Sequence, residues 1–188
     1  MNNKQSWYSI NAKDTEQYAD VYLYDEVGNY GVSAKDFVND LKLLKGRDIY
    51  LHINCVGGEV FDGMAIYNTL KKYKGKVTAY IEGIAASMGS IIPLAADEII
   101  MSENSLYMIH NAWGGAMGEA DDMRKTATLL DKLSSEIANI YTKKTGLPLS
   151  QIEDMMDEET WFNSEEALEY GFIDRISDAV MVAAKYDI

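Results

Sequence analysis

Histidine, cysteine and proline are scarce in this chain. Its 188 residues include two histidines, His52 and His110, one cysteine, Cys55, and two prolines. A single cysteine rules out an internal disulfide. Two histidines with no C-x-x-C leave no zinc cluster, so no metal is expected, and no cofactor either. Basic residues are outnumbered 17 to 30, which gives a net charge of −13. An acidic chain repels nucleic acid and anionic membranes, so neither is expected as a partner. Long apolar runs are also missing. The most apolar window, Ile84 to Ile100, contains Asp97 and Glu98 and is too short to span a bilayer. Met1 to Asp14 is polar and lacks the apolar stretch of a secretory signal, so the cytoplasm is the expected compartment. No linker, low-complexity segment or internal repeat is evident.

What is present suits one globular domain. Aliphatic and aromatic residues make up 47% of the chain, enough for a core without disulfides. Val21–Tyr24 reads as a strand that stops near Gly28-Asn29. Ser33 can cap a helix over Ala34 to Leu44, in which Phe37, Val38, Leu41 and Leu44 fall at helical spacing. Asp48 to Asn54 reads as a strand with Ile49, Leu51 and Ile53 on one face. Phe61 to Lys74 reads as a helix with Met64, Ala65, Ile66 and Leu70 inward and a lysine-rich end at the negative dipole terminus. Val77–Ile81, Glu98–Met101 and Ser105–Ile109 read as strands, and Ser87 to Ala96 as a short helix that Pro93 should kink. Asp121 to Lys144 carries a long apolar stripe of Met123, Ala127, Leu130, Leu133, Ile137, Ile140 and Tyr141. Gly146 and Pro148 end it, and Ser150 to Met156 reads as a further helix. Repeated strand–helix alternation predicts an α/β fold with a mostly parallel sheet.

Five short stretches carry side chains suited to acyl transfer. They are Asn54-Cys55-Val56-Gly57-Gly58, Gly83-Ile84-Ala85-Ala86-Ser87-Met88-Gly89, Met108-Ile109-His110-Asn111, Glu159-Thr160-Trp161-Phe162 and Glu166-Ala167-Leu168-Glu169-Tyr170-Gly171. Ser87 falls at a strand-to-helix turn among small neighbours, which leave room for a substrate carbonyl. The bland alternative is a helix N-cap, the commoner fate of a serine there. The string is not G-x-S-x-G, so it is not the α/β-hydrolase elbow. His110 ends an apolar strand, where parallel strands present ligand-facing residues. A neutral imidazole there can accept the Ser87 proton. His52 alternates with Leu51 and Ile53 and reads as a structural side chain. Cys55 has no second histidine beside it and reads as a buried thiol. Gly57-Gly58 allows close backbone approach to a substrate. A third member must be a carboxylate, and thirty acidic residues leave that choice open on spacing alone.

Together these motifs, in this order between about Asp48 and Ile176, resemble the proteolytic subunit of the Clp protease (ClpP) family. Asp20-Val21-Tyr22-Leu23-Tyr24-Asp25 and Gly31-Val32-Ser33-Ala34-Lys35-Asp36-Phe37 look most like its phage and prophage head-maturation relatives. The resemblance implies a crotonase-like α/β fold in one domain covering residues 1–188, with a protruding helical handle at about 118–144. It implies Ser87 as nucleophile and His110 as base, with the backbone N–H groups of Gly58 and Met88 as oxyanion hole. Counting back from Glu169-Tyr170-Gly171 implies Glu159 as the acid, with Asp157 and Glu158 as stand-ins. It also implies that Gly114 and Gly115, within Trp113–Gly118, pair with an extended polypeptide substrate. The family assembles rings, so a homo-oligomer is expected.

The chain departs from the family pattern at Cys55-Val56, where Ser-Pro is usual. Loss of the proline should loosen the loop that aims Gly58. The first 47 residues lack the likeness to loops that engage an ATP-driven unfoldase, so such a partner is not expected. The expectation is a serine endopeptidase that processes phage head or scaffold proteins without ATP. The alternatives are a chaperone-coupled protease subunit, a crotonase-type acyl-CoA enzyme and a non-catalytic structural ring.

Overall fold

The computed structural model describes residues 8–11 and 17–178. Part of the polar N-terminal segment, residues 1–7 and 12–14, lies outside them. Residues Tyr8–Asn11 (β1) form a strand that the sequence pattern does not predict. It pairs antiparallel with β2 (Tyr18–Leu23), which begins earlier than expected.

From there strands and helices alternate as the periodicity predicts. The helix α1 (Ala34–Leu43) starts at Ser33, whose hydroxyl accepts the Asp36 N–H. It ends where Lys45 and Gly46 turn to positive φ. The strand β3 (Asp48–Cys55) buries Ile49, Leu51 and Ile53 completely. The helix α2 (Val60–Lys71) buries Gly63, Ile66 and Leu70. Ala65, expected inward, is exposed. Gly63 takes the inner position because Met88 fills the space beside it, so that a Cβ there would lie 2.5 Å from the Met88 methyl.

The strand β4 (Val77–Ala86) runs five residues further than expected. Its first half pairs in parallel with β5 (Glu98–Ser102) through Thr78 to Ile81. Its second half pairs with β6 (Leu106–Ile109) through Ile84 to Ala86. One long strand therefore serves two neighbours, and β4 delivers the chain directly to Ser87. The helix expected after it splits at Pro93. A single α-turn, α3 (Met88–Ile91), gives way to a 3₁₀ turn over Ile92–Ala95, because proline lacks the N–H that would continue the α-pattern.

The long helix α4 (Ala120–Thr145) ends at Gly146, with φ 75°. It buries Ile137, Ala138, Ile140 and Tyr141, whereas no residue from Ala120 to Glu136 is buried. The expected stripe is thus covered only in its last turns. After α5 (Leu149–Asp157) come three elements with no counterpart in the sequence reading: β7 (Thr160–Phe162), α6 (Ser164–Glu169) and β8 (Arg175–Ser177). A capping box between Asn163 and Glu166 starts α6. The eight strands form one sheet in the order β1-β2-β3-β4-β5-β8, and β6 and β7 branch from the second half of β4. All pairings are parallel except β1–β2 and β6–β7. No helix among the described residues is long and apolar enough to cross a membrane.

The sheet has two unlike faces. Ala19, Val21, Leu23, Ile49, Leu51, Ile53, Ala79 and Ile81 form the core face with the buried residues of α1 and α2. The opposite face carries a ladder of rings: Tyr22 stacks on His52 at 4.5 Å, and His52 on Tyr80 at 5.4 Å. His52 Nδ1 lies 2.9 Å from Glu82 and Nε2 3.1 Å from Asp20, while the Tyr24 hydroxyl also donates to Glu82. Burial of the ring alone lowers its pKa, but hydrogen bonds to Asp20 and Glu82, and their charges, outweigh burial and raise it above the ordinary 6.5. Two acceptors on the two ring nitrogens call for the doubly protonated ring.

A pKa raised by folding adds stability that is complete below the unfolded value and is lost as pH climbs through the folded value. The stability margin of the wild type over His52→Gln should therefore be larger near pH 6 than near pH 9, by roughly 1.4 kcal/mol per unit of pKa elevation. Urea midpoints of both proteins at the two pH values check this, and a margin independent of pH would contradict it.

Candidate active site

Sheet register brings the candidate residues together. Ser87 follows the last β4 residue, and its N–H bonds the Met108 carbonyl on β6 at 3.1 Å. On the other side of β6, Ile109 pairs with Thr160 of β7 in antiparallel register. One step further along that register, His110 stands across from Glu159. The sequence carried a signal for β7 in the β-branched and aromatic run Thr160-Trp161-Phe162.

Ser87 adopts φ 55° and ψ −126°, a region that residues with a Cβ rarely occupy. Its hydroxyl does not cap α3. It lies instead 2.8 Å from His110 Nε2, which excludes the N-cap reading. The single turn of α3 carries little helix dipole, since that dipole sums over aligned peptides. Any stabilisation of negative charge must come from individual N–H groups.

His110 Nδ1 lies 3.6 Å from Glu159 Oε2, an ion-pair distance but too long for a good hydrogen bond. Glu159 is itself at positive φ, 50°, and its side chain is 57% exposed. The Trp161 indole N–H approaches its other oxygen at 3.4 Å. Asp157 is engaged elsewhere, accepting from the Asn111 amide at 2.6 Å.

Gly57 and Gly58 have φ of 106° and 140°. A Cβ on Gly57 would sit 2.7 Å from the Ser87 Cβ, so the close approach of this loop to Ser87 requires glycine. A Cβ on Gly58 would run into the Val27 carbonyl. The loosening expected from Cys55-Val56 meets a counterweight. Val27 N–H donates to the Gly57 carbonyl at 2.7 Å, and Glu59 N–H donates to the Val27 carbonyl at 2.9 Å. Both bonds use peptide groups flanking Gly58, so the Gly58 N–H faces away from Val27. The buried Cys55 thiol takes the Gly57 N–H at 3.4 Å, and burial pushes its pKa up to about 11. Such a thiol stays protonated and unreactive at neutral pH. Val27 is not among the residues expected at the site, because a β-branched residue just before Gly28-Asn29 carries no local sign of this contact.

A cavity of about 570 Å³ opens beside the hydroxyl, and Gly58, Met88, His110, Trp113, Gly114 and Tyr141 are among its lining residues. Residues 111–117 have no regular secondary structure, and Gly115 has no heavy atom within 4 Å of where a Cβ would be. Gly114 thus borders the cavity and Gly115 lies in open space.

A serine hydroxyl hydrogen-bonded to an imidazole, beside an open cavity and a glycine loop, is the equipment of a serine hydrolase. The chain matches the Clp protease family model over residues 2–180 and belongs to that family. It is 35% identical over 140 residues to the ATP-dependent Clp protease proteolytic subunit 1 of Leifsonia xyli subsp. xyli, covering 73% of this chain and 71% of the relative. It is 36% identical over 151 residues to the ATP-dependent Clp protease proteolytic subunit of Deinococcus radiodurans, covering 77% and 74%. The protein is a serine endopeptidase with the mixed α/β fold of its family, and the acyl-CoA and non-catalytic alternatives fall away.

Gly57→Ala tests the fit of the loop. The forced contact and the unfavourable φ should lower stability by about 1–3 kcal/mol. Peptide hydrolysis should fall by more than the unfolded fraction accounts for, because the Cβ presses on Ser87. Full activity per folded molecule would show that the loop does not set the position of Ser87.

Proposed function

We propose that Ser87, His110 and Glu159 are the catalytic triad of this endopeptidase, and that Gly58 and Met88 N–H groups form its oxyanion hole. The 2.8 Å bond between Ser87 and His110 carries the reading. As Ser87 Oγ attacks the scissile carbonyl carbon, its proton passes to His110 Nε2. The carbonyl π electrons move to oxygen, and the two N–H groups stabilise that oxyanion. Collapse breaks the C–N bond, and the leaving amine takes the proton from His110. Water then attacks the acyl-serine ester, again giving a proton to His110. The second collapse returns that proton to Ser87 and releases a carboxylic acid. Glu159 stabilises the imidazolium formed in each half. Gly114 and Gly115 offer backbone to an extended substrate beside the cavity.

The biological role we propose is maturation of phage head or scaffold proteins without ATP, in the cytoplasm of an infected host. The likeness of residues 20–25 and 31–37 to phage and prophage relatives supports it. Chaperone-coupled proteolysis is a second reading, favoured by the names of the two bacterial relatives, each an ATP-dependent Clp protease subunit. We further propose one domain and a homo-oligomeric ring in which the first half of α4 is the handle. The uncovered side chains of that half, with Met123 and Leu129 both about half exposed, suit burial against another copy.

Ser87→Ala and His110→Ala should each abolish peptide hydrolysis and fluorophosphonate labelling, and the double variant should be little worse than either. Glu159→Gln should lower kcat by about 10²-fold, less than the ~10⁴ of a buried triad acid, because Glu159 is exposed and distant. Wild-type turnover by Ser87→Ala would overturn the assignment. Activity lost in Asp157→Asn but kept in Glu159→Gln would move the acid to Asp157.

Assembly and ATP use separate the two biological roles. Light scattering should find a species far heavier than 21.1 kDa, and casein degradation should gain nothing from a host AAA+ unfoldase with ATP. A large ATP-dependent gain would move the role to general proteolysis and leave the chemistry unchanged. A monomer at micromolar concentration would refute the handle.

A further inference from the structure

Behind Ser87 lies a chain of buried hydroxyls that the catalytic steps do not use. The Ser87 carbonyl accepts two hydrogen bonds from one residue: the Ser90 N–H at 3.0 Å and the Ser90 hydroxyl at 2.6 Å. The Ser90 hydroxyl lies 2.7 Å from the Tyr141 hydroxyl on α4. A serine hydroxyl has one proton, and here it points at Ser87. Tyr141 must then be the donor to Ser90. The order is Tyr141 O–H to Ser90 Oγ, and Ser90 O–H to the Ser87 carbonyl. Tyr107 donates its hydroxyl to the Ser90 carbonyl at 2.6 Å and fixes the next peptide. Ser90, Tyr107 and Tyr141 are all buried, at 0%, 0% and 1% exposure. Burial raises the pKa of both phenols, so both remain donors across the working pH range. Donors aligned in one direction polarise and strengthen one another in a low-dielectric interior.

The consequence follows from the planar trans peptide. The Ser87 carbonyl and the Met88 N–H belong to one rigid unit and point in opposite directions. Whatever holds the carbonyl also aims the N–H. The clamp grips the carbonyl from the core side, and the Met88 N–H points away from it at the opposite edge of the same peptide plane. Gripping the carbonyl also fixes ψ at Ser87, where the backbone is strained.

We infer that Ser90 and Tyr141 are positioning residues for the reaction, clamping the Ser87 carbonyl so that the Met88 N–H stays aimed at the developing oxyanion. This rests on the proposed roles of Ser87 and Met88. The clamp acts on the tetrahedral state and not on substrate binding or on the Ser87–His110 proton transfer.

The test uses Ser90→Ala, Tyr141→Phe and the double variant in the full chain, with Ser87→Ala as control. The probes are a fluorogenic peptide and a peptide boronic acid. Boron bonds the Ser87 Oγ, the serine proton passes to His110, and the tetrahedral boronate mimics the oxyanion state. Removing a whole oxyanion donor costs about 10²–10³ in kcat; misaiming one, with the Ser90 N–H still in place, should cost about tenfold. We expect kcat and boronate affinity to fall together by about that factor in Ser90→Ala, and by less in Tyr141→Phe. KM should stay within about twofold, and the pH profile of kcat should keep its shape. Because Tyr141 acts through Ser90, the double variant should match Ser90→Ala. Tyr141→Phe removes one oxygen from a fully packed ring, so it decides the matter if Ser90→Ala does not fold. A lower melting temperature with kcat and boronate affinity unchanged would overturn the clamp. So would additive losses in the double variant. If Ser87→Ala is inactive in the same assay while both clamp variants match wild type, only the clamp fails. If Ser87→Ala is active, the reading of the site fails first.

Discussion

The backbone of Ser87 is the constraint on which the rest of the site depends. A residue with a Cβ held at φ 55° and ψ −126° costs about 1–3 kcal/mol. It persists because its surroundings leave no alternative. Its N–H is tied to Met108, its carbonyl to Ser90, and a glycine stands where any side chain would strike its Cβ. The strain is also what turns the hydroxyl out of the helix-capping position and toward His110. β4 makes this possible by changing partners midway. Pairing with β5 anchors the strand in the main sheet. Pairing with β6 leads its end away, to where β6 and β7 deliver His110 and Glu159.

The two faces of the sheet divide the labour between stability and exposure. Branched aliphatic side chains on one face meet α1 and α2 and form the dry core. Tyrosines and His52 occupy the other, where partly exposed rings stack and carboxylates bracket the imidazole. Placing the two histidines so differently separates their chemistry. His52 sits between two acceptors that favour its charged form, which suits a structural cation. His110 has one carboxylate at ion-pair distance and the Ser87 hydroxyl on its other nitrogen.

Legibility along the chain followed the strength of local pattern. Long amphipathic helices and alternating strands were read correctly within a few residues, because burial of one face imposes a period on the sequence. Three short elements lack such a pattern. β1, β7 and β8 span three or four residues, too few for a period, and they exist because an edge or a neighbouring strand supplies hydrogen bonds, whereas the equally short β6 is legible from its apolar run Leu106-Tyr107-Met108-Ile109. Ala65 was placed inward and Gly63 overlooked, since hydropathy ranks alanine above glycine while packing against Met88 requires the smaller residue. The capping box at Asn163 and Glu166 is a local signal for α6 that the sequence carries.

The sequence by itself determined the fold class, the family, and which serine and histidine could meet. Motifs in a fixed order constrain these directly, and residue type and spacing suffice to state them. Only the tertiary structure decided how the pieces act on one another. Val27 ties the glycine loop, the β6–β7 register sets Glu159 across from His110, and Tyr141 reaches Ser90 from 51 residues away. Each of these is a contact between segments remote in the chain. Such contacts are made by hydrogen-bond geometry after the backbone has folded, and no local period in the sequence encodes them.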